Sequence, residues 1–139
     1  MDWRHRVLAR LILLVFFAPA AVLADGVHFS GLYVPQGLTC EDGARISEEY
    51  GDLRAGYVIY DNEGRKSDDG DCDYTQVQPL RGTALQIVDL ACSYDGSSYE
   101  YRQVLTPLSE NRMMALSSLD DGTSIYQIYT YCAWVPESN

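Results

Sequence analysis

The sequence predicts an all-β domain: a small antiparallel meander of about six to eight strands that closes into a barrel or a strongly bent sheet and carries two disulfides. Three observations carry that expectation. Short runs rich in tyrosine and β-branched residues recur between turn signals, with no sustained helical period. Polar and apolar residues alternate along the later runs, the period of strands with one face buried. Four cysteines at positions 40, 72, 92 and 132 contain no C-x-x-C pair, so in a short chain they read as two staples. Closing the meander would remove its two exposed edges.

The elements follow in order. Phe29 to Pro35 (FSGLYVP) reads as a first strand ended by its proline. Cys40 is expected in the loop that follows. Glu41 to Leu53 is open: Asp42 could cap one or two helical turns, but Gly43 and Gly51 leave a strand or an irregular loop equally available. Gly56 to Tyr60 (GYVIY) is a strand that stops at the turn Asp61-Asn62-Glu63-Gly64, and Arg65 to Asp71 reads as a polar connection.

Cys72 to Cys92 is the organising unit. Folding it back at Pro79 to Thr83 sets Cys72 opposite Cys92, with Ala84, Gln86, Val88, Leu90 and Cys92 on one face of the returning strand. Asp95-Gly96 is a tight-hairpin dipeptide. Strands at Tyr99 to Leu108, Arg112 to Leu116 and Ser124 to Trp134 complete the series, separated by Ser109-Glu110-Asn111 and Asp120-Asp121-Gly122. If the first strand pairs with the last, Cys40 meets Cys132. Of the three connectivities, Cys72–Cys92 with Cys40–Cys132 is therefore expected.

Residues 1–24 have the pattern of a secretory signal peptide: Arg4, Arg6 and Arg10, then apolar Leu11 to Leu23, then a small-residue exit before Asp25. The apolar run is shorter than the ~20 residues a membrane-spanning helix needs. Residues 25–139 then form a single domain, periplasmic or secreted. Removing Asp2 and the three arginines leaves 19 acidic and 7 basic residues, a formal charge of −12 in place of −10. That balance opposes nucleic-acid binding, which needs basic patches, and permits a cationic partner.

Catalytic chemistry has little support. His28 is the only imidazole after the leader, and no Gly-x-Ser-x-Gly elbow occurs. Most acidic residues fall in turns, while Asp89 lies inside an apolar run and is expected to point outward or to pair with an arginine such as Arg102. Asp69-Gly70-Asp71-Cys72-Asp73 offers alternate carboxylates, but Tyr74 and Leu80 occupy the positions where a calcium loop needs Gly and Glu. No metal or cofactor is implied. The eleven tyrosines fill a core short of Leu and Phe or form a recognition surface. The candidate binding surface is Gly96, Ser97, Ser98, Tyr99, Tyr101, Arg102, Tyr129 and Tyr131.

Gly31-Leu32-Tyr33, Cys40, Cys72, Cys92 with Asp95-Gly96 and Tyr99, and Cys132 together resemble the pattern of small four-cysteine exported bacterial proteins of unknown function. That resemblance implies the fold and the disulfides and brings no activity. The Gly96-Ser97-Ser98-Tyr99 turn is similar to the inhibitory loop of periplasmic c-type lysozyme inhibitors, which are exported eight-stranded barrels. It lacks that family's lysine; the chain's single lysine is Lys66. The expected role is a non-enzymatic binding or envelope accessory module for an unidentified protein or small molecule, with lysozyme inhibition as the alternative.

Overall fold

A computed structural model describes residues 29–133; the expected leader, His28 and Trp134 lie outside them. In chain order the elements are β1 (Gly31–Pro35), α1 (Cys40–Tyr50), α2 (Leu53–Gly56), β2 (Val58–Tyr60), β3 (Gly64–Ser67), β4 (Gly70–Pro79), β5 (Gln86–Tyr94), β6 (Ser97–Ser109), β7 (Arg112–Ser118) and β8 (Ser124–Ala133). Each strand pairs antiparallel with the next, and β8 returns to β1, closing an eight-stranded barrel. No helix among the described residues is long and apolar enough to cross a membrane.

Three local readings are corrected. The undecided stretch is helical, and Cys40 is the first residue of α1 rather than a loop residue. The N-cap is Thr39, not Asp42: the Thr39 side chain accepts from the Asp42 amide while the Asp42 carboxylate accepts from the Thr39 amide. This reciprocal capping box satisfies two amides that the first helical turn leaves without partners. The polar run after Gly64 is also not a connection, because it holds β3 and the start of β4. Gly64 permits that pairing, since a Cβ there would sit 1.8 Å from the Cys72 carbonyl oxygen. Gly56 likewise lets α2 pack on α1, where a Cβ would meet the Gly43 carbonyl at 1.9 Å.

The organising hairpin forms as read, with Cys72 directly opposite Cys92 and Gln86, Val88, Leu90 and Cys92 buried. The turn is wider than Pro79 to Thr83 and leaves Ala84 outside the strand. Asp95 and Gly96 both take positive φ (47° and 78°), as a two-residue hairpin of the primed type requires. The disulfides are Cys72–Cys92 and Cys40–Cys132. The first clips neighbouring strands, and the second ties α1 to β8. Such bridges belong to an oxidising compartment outside the cytoplasm.

The interior is filled by tyrosine. Tyr33 meets Tyr60, Tyr129 and Tyr131 edge-on, with ring centroids 5.5 to 6.4 Å apart. Each buried phenol tip needs a hydrogen-bond partner. Tyr33 donates to the Phe29 carbonyl at 2.8 Å, and Tyr60 donates to Gln103 Oε1 at 3.0 Å. Gln103 in turn donates to Ser117 Oγ at 3.0 Å, so a polar chain crosses the barrel from β2 through β6 to β7. Arg65, Ser67, Gln86 and Gln103 are the buried polar residues of an otherwise apolar and tyrosine-rich core.

The disulfides close loops of different length, so their contributions should differ. Replacing Cys72 and Cys92 together with alanine is expected to cost about 3 kcal/mol of unfolding free energy, and replacing Cys40 and Cys132 about 4–5 kcal/mol. Denaturant unfolding of the two double variants measures both values; the reverse order would refute the loop-closure account.

Candidate functional site

The inward positions at one end of the barrel come from strands of unequal length. β6 carries Tyr99 and Tyr101 beyond the core residues Gln103 and Leu105. β7 and β8 contribute Ser117, Ile125 and Gln127, and Leu119 stands in the turn between those two strands. β3 contributes Arg65. Together these residues line a cavity of about 180 Å³ in the mouth of the barrel.

The cavity is graded in polarity. Tyr99, Leu119 and Ile125 form an apolar lip, each about 40 to 50% exposed. Exposed Gln127 adds a polar group beside them, Tyr101 and Ser117 are half-buried, and Arg65 is the most buried of the charged lining residues at 6% exposure. The Tyr99 and Tyr101 rings stack, with centroids 6.0 Å apart and planes 19° from parallel.

Arg65 is a permanent charge in a dry place. Its Nη1 donates to Ser67 Oγ at 3.0 Å and reaches Asp69 Oδ1 at 3.4 Å, while its buried Nε–H has no partner. Ser67 also donates to the same Asp69 oxygen. Burial works against ionisation of Asp69, but the Ser67 hydrogen bond and the Arg65 charge outweigh it and hold the carboxyl below its usual range. The other ion pairs behave differently. Arg54 is held by both Asp52 and Asp71, Lys66 by Asp61 and Glu63, and Arg102 by Asp89 in a two-bond fork at 2.6 and 2.9 Å. Arg65 is the most buried of these cations, and its 3.4 Å contact is longer than those of Arg54 and Arg102; exposed Arg45 reaches Asp42 and Glu49 only at 3.9 and 3.7 Å.

The eight residues expected to form one surface are dispersed. Gly96, Ser97 and Ser98 are exposed at the tip of the β5–β6 hairpin. Tyr99 and Tyr101 turn inward to the mouth. Arg102 points outward to Asp89, the pairing read for that carboxylate. Tyr129 is buried at 1% exposure and is a core residue, not a surface one, because the β8 face carrying Gln127, Tyr129 and Tyr131 faces the barrel axis. Tyr131 packs half-buried against Tyr33, away from the mouth.

Sequence reasoning missed Arg65, Gln103 and Gln127. For Gln103 the signal was available, since it alternates in phase with Tyr101 and Leu105. Of the alternate carboxylates of Asp69 to Asp73, Asp69 turns to Ser67 and Arg65, while Asp71, paired with Arg54, shares a groove with Asp73. Among the described residues no group of three or more His, Cys, Asp or Glu side chains is placed to hold a metal ion.

Among the described residues, three further cavities lie elsewhere on the barrel, one of them, of about 350 Å³, between α2 and the β3–β4 and β5–β6 turns and lined by Arg54, Asp68 and Tyr94. A second of about 570 Å³ is an open groove with Asp71, Asp73, Glu100 and Asp120 in its walls, beside Ser98 and Tyr99. A third of about 300 Å³, lined by Phe29, Tyr33, Pro107 and Met113, lies at the opposite end of β6.

Burial keeps the interior phenols neutral. It pushes Tyr33 up to about 12, with Tyr131 adding to the effect, and pushes Tyr101 up to about 12 against the pull of the Arg65 charge. Tyr60, Tyr74 and Tyr129 are raised for the same reason. A tyrosine whose folded value exceeds its unfolded one stabilises the fold fully below the unfolded value of ~10. That stability is lost as pH rises through the folded values. An ultraviolet phenolate titration should show these five ionising later than in a denatured reference, with the unfolding free energy falling as pH rises above ~10. Coincident titration of all eleven tyrosines would contradict the buried arrangement. No protein-family model, characterised protein or solved structure matches the chain, so the functional reading rests on the chemistry of the site.

Proposed function

We propose that the protein is an exported, non-catalytic binding module, periplasmic or secreted, that takes a small ligand into the mouth of its barrel. One observation carries the reading: a buried guanidinium lines a cavity and is held by a single carboxylate oxygen at 3.4 Å. A desolvated charge costs free energy unless it is paired and hydrogen-bonded, so an under-satisfied one in a cavity wall marks a binding position. The graded lining supports the same reading, because ligand sites combine apolar walls with a few placed polar groups. A non-catalytic role is consistent with the described residues containing no histidine to activate a nucleophile.

A second reading, inhibition of a c-type lysozyme, is favoured by the acidic groove beside the Ser97-Ser98-Tyr99 tip, which would attract a cationic enzyme.

Amide chemical-shift mapping with a mixture of small fragments tests the first reading. Shifts should concentrate at Tyr101, Gln103, Ser117 and Gln127, and shifts confined to the acidic groove would overturn it. A lysozyme activity assay tests the second, which falls if micromolar excess gives no inhibition.

A further inference from the structure

We propose that the barrel mouth is a site for single-ring carboxylates, in which the ligand carboxylate pairs with Arg65 in the place now taken by Asp69. The inference rests on the mouth being the binding site and goes further by naming the ligand class and the residue it displaces.

The charge requirement comes from Arg65. A guanidinium presents its donors in a planar fork that matches a carboxylate through two parallel hydrogen bonds. Here Nε–H is unused and Nη1 is held at 3.4 Å by a single carboxylate oxygen. The contact Asp69 makes is therefore one-pronged, whereas a free carboxylate in its place can span the two Nη groups end-on.

Displacement of Asp69 is cheap. Its side chain is 68% exposed against 7% for Arg65, so it exchanges one long ion pair and the Ser67 hydrogen bond for water. Ser67 Oγ–H, which now donates to Asp69, becomes available to the incoming carboxylate. Asp69 thus acts as an internal stand-in for the ligand: it covers the charge when the mouth is empty and yields when it is filled.

The ring requirement comes from size and lining. A cavity of ~150 Å³ accommodates benzene, and the mouth offers about 180 Å³. Its lip of Tyr99, Leu119 and Ile125 provides the apolar and aromatic contact a ring needs once its charged end is seated. Inorganic phosphate would satisfy the fork but leave the lip wet, while a neutral ring would satisfy the lip but leave the guanidinium under-bonded.

Titration of the purified protein with benzoate, benzyl alcohol and inorganic phosphate, followed by calorimetry and by the Arg65 Nε–H resonance, separates the possibilities. Benzoate is expected to bind at least about tenfold more tightly than benzyl alcohol and to shift the Nε–H resonance. Arg65→Met should lose that preference, with circular dichroism and the Tyr101 and Gln127 resonances reporting that the barrel is intact. Should that variant unfold, Asp69→Asn carries the test, because it keeps the guanidinium and removes its competitor. It is expected to tighten benzoate at least about threefold, while Asp68→Asn, which makes the same charge change on the neighbouring exposed residue, leaves affinity within about twofold. Equal binding of benzoate and benzyl alcohol, or equal tightening by the two Asn variants, would overturn the carboxylate inference and leave the mouth as a binding site. Phosphate binding more tightly than benzoate would overturn the ring requirement. If none of the three probes perturbs the mouth, both the inference and the binding reading fall.

Discussion

The structure depends on filling an eight-stranded barrel with tyrosine. A barrel of this size has an interior just wide enough for side chains, and it excludes water. Tyrosine supplies the area but carries a hydroxyl that is costly to leave bare there, and of the buried phenols Tyr74 alone is left without a partner among the described residues. The rest of the interior answers that constraint. Gln103 accepts from Tyr60 and hands its own amide to Ser117; Tyr33 reaches the Phe29 carbonyl; Tyr129 turns to Gln127. The polar residues inside the barrel are consequences of an aromatic core that has polar tips.

That same constraint explains why one end can hold a charge. Tyr60, Tyr101 and Tyr129 surround Arg65, and burial keeps their phenols neutral. They therefore supply dipoles without cancelling the guanidinium charge. The Cys72–Cys92 bridge joins β4 to β5 in the row of residues that runs from Arg65 through Cys72 and Cys92 to Tyr99. A covalent tie across that row fixes the separation between the cation and the stacked tyrosines, which is the form of preorganisation a small site needs.

Much of this was legible in the sequence because alternation and turn chemistry are local. Gln86, Val88, Leu90 and Cys92 declare one face of β5, Asp95-Gly96 declares a tight turn, and closure places Cys40 near Cys132. The site was not legible, for reasons that are equally physical. Arg65, Lys66 and Ser67 look like a solvated connection, since nothing local marks a four-residue strand whose neighbours become known only after the barrel closes. The tyrosines of β6 and β8 share a composition, yet Tyr99 and Tyr101 reach the lip while Tyr129 lies in the core, because their distances from the barrel ends differ. Helix α1 was obscured by Gly43 and Gly51. The first is needed for close packing against α2 and the second for a left-handed C-cap, so both support the helix they seemed to break.

The acidic balance of the chain bears on why the charge in the mouth is buried. With 20 acidic residues against 10 basic ones, the protein repels anions at long range, and exposed arginines such as Arg54 and Arg102 are already held by nearby carboxylates. Surface repulsion is screened within about 8 Å at physiological ionic strength. A cation inside the barrel escapes that competition, because few carboxylates can follow it into the interior, and the lower dielectric strengthens whatever pair does form there. The cost is desolvation of the guanidinium, which the single contact from Asp69 offsets incompletely. An acidic protein that must recognise an anion is thus expected to do so from an interior cation and not from a surface patch, and Arg65 at the base of a tyrosine-lined mouth has that arrangement.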